Sequence, residues 1–262
     1  MTAKVLPVGT EAGASGASIN IHAGTVKKSA PVGTAVASRI VEQGKYMAKF
    51  GDVGFPRVLA VHEENGCYFM ERLQEMPWYI VDYYALMMQL VIHLDRYVWG
   101  AVTDIKIDNT DWVEKHYAYI TPRCKKWAPE HYDRLMMKFS LLKHDELRDT
   151  FIHGDPTFDN CMLRDGQLVT IDPIAPYDGI PSLTCVDMGK ILQSAAGYER
   201  IRYGRPMPTL DMFQAMRVLN LDPVERDATL YFCAVHFIRL LPYQPEHLRP
   251  QFKETLRWVL SL

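Results

Sequence analysis

One change of hydrophobic period divides this chain into two unlike parts. Up to Leu73 the apolar residues come in runs of strand length. Residues 19–23 alternate, 25–28 follow a turn at Gly24, and the runs 58–61 and 67–70 flank a turn that ends in Gly66. Among them, residues 34–50 have helical spacing through Val36, Ile40 and Met47, although Gly44 weakens an unbroken helix. Beyond Pro77 long helical patterns take over, at about 80–99, about 130–146 and in several segments from 183 onward. Two short apolar pieces interrupt them, 161–163 and 168–171, joined in the manner of a hairpin by Asp165-Gly166. The pattern predicts an α+β, bilobal chain with a small β-rich lobe over 1–73 and a larger helical lobe over 74–262. The length of 262 residues suits two lobes, because a single core stops growing at roughly 250–300 residues.

Composition excludes more than it assigns. With 48% hydrophobic and 23% charged residues the chain reads as globular, and a formal net charge of -2 gives no basic field for nucleic acid. The most apolar stretch, 80–99, is broken by Asp82, Gln89, His93, Asp95 and Arg96, which suits a buried helix and not a membrane span. Residues 1–20 lack the apolar centre of a secretory signal. The five cysteines are scattered without a C-x-x-C pair, as expected of reduced thiols in the cytoplasm. Neither H-E-x-x-H nor G-x-S-x-G occurs, so zinc or serine hydrolysis has no support.

The residues that carry chemistry lie in 151–175. Asp155 is followed five residues later by Asn160, and Asp172 ends the second apolar piece. Phosphoryl transfer needs a group that orients the attacking hydroxyl. It also needs oxygen ligands for Mg²⁺, which binds through one or two protein groups plus the nucleotide phosphates. An aspartate and an asparagine on one loop can supply both, and an aspartate arriving from the adjacent hairpin completes the metal's protein ligands.

His153-Gly-Asp155, Asn160 and the later Ile171-Asp-Pro173 together resemble the aminoglycoside phosphotransferase and choline kinase-like family, relatives of the protein kinases. The resemblance implies a protein-kinase-like fold, ATP and Mg²⁺ as cofactors, Asp155 as catalytic base, and Asn160 and Asp172 as metal ligands. His153 would brace the loop. Protein kinases carry H-R-D and D-F-G at these places, so Gly154 and Asp172-Pro173 favour a small-molecule acceptor. Asp187 is similar to the aspartate that anchors the catalytic loop in such enzymes; the alternative is a plain charge at a helix start. The version with Lys190 and Gln193-Ser194 looks most like members found near sugar and capsule biosynthesis.

The resemblance extends to roughly residues 5–200, less sharply in the first lobe. There the kinase pattern expects a small-residue loop over the phosphates, a strand lysine touching them and a helix glutamate pairing with that lysine. Residues 9–18 can be the loop or merely a terminus. Lys28 best fits the lysine because it shares a strand face with Val26, with Lys27 as the alternative. Glu42 is the natural helix partner, or an ordinary surface charge. Met70, Glu71 and Arg72 resemble the hinge beside adenine. Acceptor-binding candidates are Tyr177, Asp178, Tyr198 and Glu199, with Arg200 and Arg202. Trp99 and Lys106 join them from the region between helices. The expectation is a cytoplasmic kinase of a small-molecule hydroxyl, with no nucleic-acid or membrane partner. Two rivals are a catalytically silent nucleotide-binding regulator and a protein-directed kinase. Only fourteen residues separate Asp172 from Asp187, which leaves little space for an activation segment.

Overall fold

The computed structural model describes residues 10–12, 16–50, 54–77, 81–101, 109–174, 179–204, 208 and 210–262. Its N-terminal region is a five-stranded antiparallel sheet. Strands β1 (Thr10–Ala12), β2 (Ser18–Ile21), β3 (Thr25–Ser29), β4 (Val58–His62) and β5 (Cys67–Glu71) lie in the order β1-β2-β3-β5-β4. Ile19 stands opposite Lys28, and Val26 opposite Met70. Part of the 9–18 segment is therefore strand β1, and the remainder of it up to Ser15 lies outside the described residues.

Helix α1 (Ala35–Phe50) covers this sheet and buries Ala37, Ile40, Val41, Gly44 and Met47. Its N-terminus is capped by Thr34, whose Oγ1 accepts the Ala37 N–H at 3.1 Å. Gly44 does not break it. A Cβ there would stand 2.9 Å from the Tyr68 Cβ, so the glycine serves close approach of helix to sheet.

After β5 the chain forms the two-residue strand β6 (Gln74–Glu75), which pairs with β7 (Cys161–Arg164), itself paired with β8 (Gln167–Thr170). The β7–β8 turn has φ of 51° at Asp165 and 78° at Gly166, the positive pair that a tight hairpin demands. The short exposed β6 has no sequence signature of its own.

The rest is helical: α2 (Tyr83–Leu94), α3 (Trp112–Trp127), α4 (Tyr132–Leu141), α5 (Thr184–Ala195), α6 (Tyr198–Tyr203), α7 (Met212–Leu219), α8 (Pro223–Leu240) and α9 (Arg249–Ser261). The predicted helix at 80–99 is α2 plus a π-helical turn at Asp95–Trp99. Helix α3 escapes sequence reading because Pro122 stands inside it and its buried positions include His116 and Cys124. Every residue of α5 is buried, and α8 is buried from Ala228 to Ile238. They pack closely at Gly189, where a Cβ would lie 2.8 Å from the Cys233 backbone nitrogen. All five cysteines are buried free thiols. Among the described residues no helix is long and apolar enough to cross a membrane.

Candidate active site

Three segments converge on the residues singled out in 151–175. The first is the loop 153–160, whose shape is fixed from below by α5. Asp187 accepts the His153 N–H at 2.8 Å and the Trp99 indole N–H at 2.9 Å on Oδ2, and the Gly154 N–H at 2.7 Å on Oδ1. It is therefore the anchor of the loop, not a solvated charge. Burial pushes its carboxyl up to about 6 even though three donors favour the ionised form. Gly154 has φ of 79°, and a Cβ there would strike the Ile174 carbonyl oxygen; only glycine fits.

Two further side chains of the α5–α6 region hold the loop. The Phe158 N–H is shared between Glu199 Oε1 at 2.9 Å and Ser194 Oγ at 3.2 Å, and the Ser194 hydroxyl donates to the same Glu199 oxygen at 2.6 Å. Burial pushes the Glu199 carboxyl up to about 7, against those hydrogen bonds. Glu199 and Trp99 are thus spent on bracing the loop, which corrects their reading as acceptor-binding groups. Tyr198 is buried and Arg200 is exposed, while Tyr177, Asp178 and Lys106 lie outside the described residues.

Within the loop, Asn160 Nδ2 donates to Asp155 twice, to the carbonyl oxygen at 2.8 Å and to Oδ2 at 3.2 Å. The other carboxylate oxygen, Oδ1, meets Lys190 Nζ at 2.8 Å. Burial alone would raise the Asp155 carboxyl, but Lys190 and weaker contributions from His153 and Arg239 outweigh it and hold it below the usual carboxylate range. The His153 ring is fully buried and its Nδ1 accepts the Asp155 N–H at 3.2 Å. Burial pushes its pKa down to about 3, so the imidazole is neutral and Nε2 carries its proton. That geometry suits a brace.

The second segment is the end of β8. The Ile171 N–H donates to the Asn160 carbonyl at 2.9 Å, which sets Asp172 beside the loop. Asp172 has φ of 58°, a left-handed conformation rare outside glycine and found at functional sites. Asn160 and Asp172 offer hard oxygen atoms and Asp172 is 30% exposed, a donor set that suits Mg²⁺ completed by phosphates. Among the described residues no group of three or more His, Cys, Asp or Glu side chains could hold a metal by itself.

The third segment comes from the N-terminal sheet. Lys28 is buried and its Nζ pairs with Asp172 Oδ2 at 2.8 Å, whereas Lys27 lies over the Phe69 ring at 5.6 Å. Lys28 is the lysine that reaches the site. Its helix partner is not Glu42. Glu42 is exposed and pairs with Lys45 at 3.2 Å, while Lys28 donates to Gln43 Oε1 at 2.9 Å. The register is one residue off because α1 turns 42 outward and 43 toward the sheet. The Gln43 Nε2 donates in turn to the Pro173 carbonyl at 2.8 Å.

The hinge candidates divide. Met70 is buried in β5. The Glu71 carboxylate accepts the Arg57 N–H at 2.7 Å and pairs with Arg164 of β7, tying the two sheets together. The Arg72 guanidinium donates to the His22 carbonyl at 3.4 Å. Sequence reasoning missed Gln43 and the Lys190–Asp155 pair. Of the second, the sequence shows only that Asp187, Lys190 and Ser194 share one helix face through their i, i+3, i+7 spacing, not what that face meets.

With this geometry in hand, solved structures settle the fold. The chain aligns over 98% of its length with 89% of a choline/ethanolamine kinase family protein from Mesorhizobium loti, at a TM-score of 0.63 and 12% identity. It has the protein-kinase-like fold. A choline kinase, LicA, from Streptococcus pneumoniae matches with a TM-score of 0.63 and 11% identity, over 98% of this chain and 94% of that one. The GDP complex of aminoglycoside 2'-phosphotransferase-IIIa matches at 0.60 and 11%, over 94% and 89% respectively. The sequence itself matches no family model and no curated protein.

Proposed function

We infer that the chain is a Mg²⁺- and ATP-dependent kinase that moves the γ-phosphoryl group to a hydroxyl of a small molecule such as a sugar, an amino sugar or an amino alcohol. ADP leaves as the phosphate ester forms. One observation carries this reading: Lys28, Asp172 and the loop pair Asp155 and Asn160 come from three segments into one connected polar site.

In this reading ATP lies between the region 1–73 and the region 74–262. Residues 70–72 would face adenine, and Lys28 would touch the α- and β-phosphates. Mg²⁺ held by Asn160 and Asp172 would neutralise charge on the phosphates. Asp155 accepts a hydrogen bond from the acceptor hydroxyl and points its oxygen at the γ-phosphorus. Because the transition state is loose, this orientation outweighs basicity, which agrees with a carboxyl held below its usual range.

The test is coupled ADP release over sugars, amino sugars, amino alcohols and nucleosides, with Asp155→Ala as control. Acceptor-dependent release is expected, falling by orders of magnitude in the variant while Mg·ATP still raises its melting temperature. Stabilisation by Mg·ATP with no release for any acceptor would favour the silent regulator instead. Label from γ-labelled ATP appearing on protein would favour a protein-directed kinase.

A further inference from the structure

A carboxylate that must aim a hydroxyl needs its own plane fixed. Residues 153–160 contain no lysine or arginine, so any fixed cation beside Asp155 has to come from another element. Helix α5 supplies it. The aliphatic stem of Lys190 is buried with the side chain 5% exposed, and its Nζ meets Asp155 Oδ1 at 2.8 Å. One turn further, Gln193 Oε1 accepts from the same Nζ at 3.0 Å, and the Tyr198 ring lies 5.8 Å from it. Asn160 occupies the opposite carboxylate oxygen, so each oxygen of Asp155 has one donor and the plane is clamped from two sides.

We propose that Lys190 is a positioning residue for phosphoryl transfer, one that holds the Asp155 carboxylate in the orientation the acceptor hydroxyl requires. The assignment rests on the kinase reading above. Lys190 acts through Asp155, because its ammonium is enclosed by Asp155, Gln193 and Tyr198. A pair kept only for stability has no need of this address. Buried ion pairs are often replaceable by apolar groups of similar volume without loss of stability. Here the partner is a loop carboxylate that keeps exposed surface, at 26% of its side chain.

A double-mutant cycle separates positioning from packing. Lys190→Met keeps the stem volume and removes the charge. Turnover is expected to fall about 100-fold, the scale that a small misplacement of a reacting group costs, with KM for ATP changed less than about twofold. In an Asp155→Asn background the same substitution is expected to change turnover by less than about twofold, since residues that act as a unit are not additive. The double variant carries no unpaired buried charge, so it reports even where Lys190→Met alone folds poorly, and the shift in melting temperature with Mg·ATP verifies folding. Additive losses, or normal turnover in Lys190→Met, would overturn the assignment. Absence of turnover in the unaltered protein would overturn the kinase reading along with it.

Discussion

A single amide ties helix α1 to the segment that carries Asp172: Gln43 Nε2 donates to the Pro173 carbonyl at 2.8 Å while Gln43 Oε1 accepts from Lys28 at 2.9 Å and from the Tyr68 hydroxyl at 3.2 Å. A glutamate there could accept from Lys28, but it could not donate to Pro173. The helix, the strand lysine and the segment that carries Asp172 are therefore joined by a neutral side chain, and α1 is held in place without a second ion pair.

Gln43→Glu sets a carboxylate against the Pro173 carbonyl and leaves that carbonyl without its donor. Breaking such a bond costs about 1–3 kcal/mol. Denaturant unfolding should show that loss, together with a higher KM for ATP. An increase in stability would contradict the assigned hydrogen bonds.

The two adjacent lysines separate cleanly. Lys28→Met removes the partner of Asp172 and is expected to raise KM for ATP at least tenfold. Lys27→Met, which loses only a half-buried cation over Phe69, should stay within about twofold of the unaltered protein, since cation–π contacts near the surface contribute about 0.5–1 kcal/mol to stability. The reverse ranking would reassign the phosphate lysine.

Gly189→Ala pits helix propensity against packing. Replacing glycine inside a helix normally stabilises by about 0.5–1 kcal/mol. Here the added methyl would meet the Cys233 nitrogen at 2.8 Å and the Phe232 Cβ at 2.9 Å, both near the α8 backbone. Overpacking of that kind costs about 1–3 kcal/mol, so the variant should melt lower. A higher melting temperature would show that α5 and α8 can separate without cost.

Glu199 gives stability a pH dependence of known sign. Its folded-state pKa is pushed up to about 7 by burial, against an ordinary value of 4.5. Between those values the folded chain holds the extra proton, so this group's contribution declines as pH rises through the window and stays low above it. Glu199→Gln mimics the protonated form. Its stability relative to the unaltered protein should be near zero at about pH 4 and favourable by up to about 3 kcal/mol at about pH 8. Thermal melts of both proteins across that range read this directly, and an offset independent of pH would remove Glu199 as the titrating group.

How much of this could be read from the sequence differs by type of information. The strands 25–29, 58–62 and 67–71 and the β7–β8 hairpin were legible because period and turn residues are local signals. Asp155, Asn160, Asp172 and Lys28 were singled out by residue type, spacing and resemblance, and the fold brings the four to one place. Helix α3 was hidden by Pro122, and β6 by its two-residue length. Glu42 was preferred to Gln43 because charge alone suggested the partner, whereas the outcome depended on which side of α1 faces the sheet. Lys190 was hidden for a deeper reason: its partner is 35 residues away in sequence, 190 against 155, and only the packing of α5 under the loop joins them.

Asp187, Lys190 and Ser194 form one stripe along α5, and among them they bind the backbone or side chains of His153, Gly154, Asp155 and Phe158. The loop thus borrows its stiffness from a helix. Amides of a surface loop ordinarily exchange with solvent through local fluctuation. The amides of His153, Gly154 and Phe158 have acceptors rooted in the α5–α6 region, and so should exchange with the slow rate of α5 itself. The loop would then soften only when α5 comes away from α8, and its thermal endurance would be that of the deepest part of the molecule.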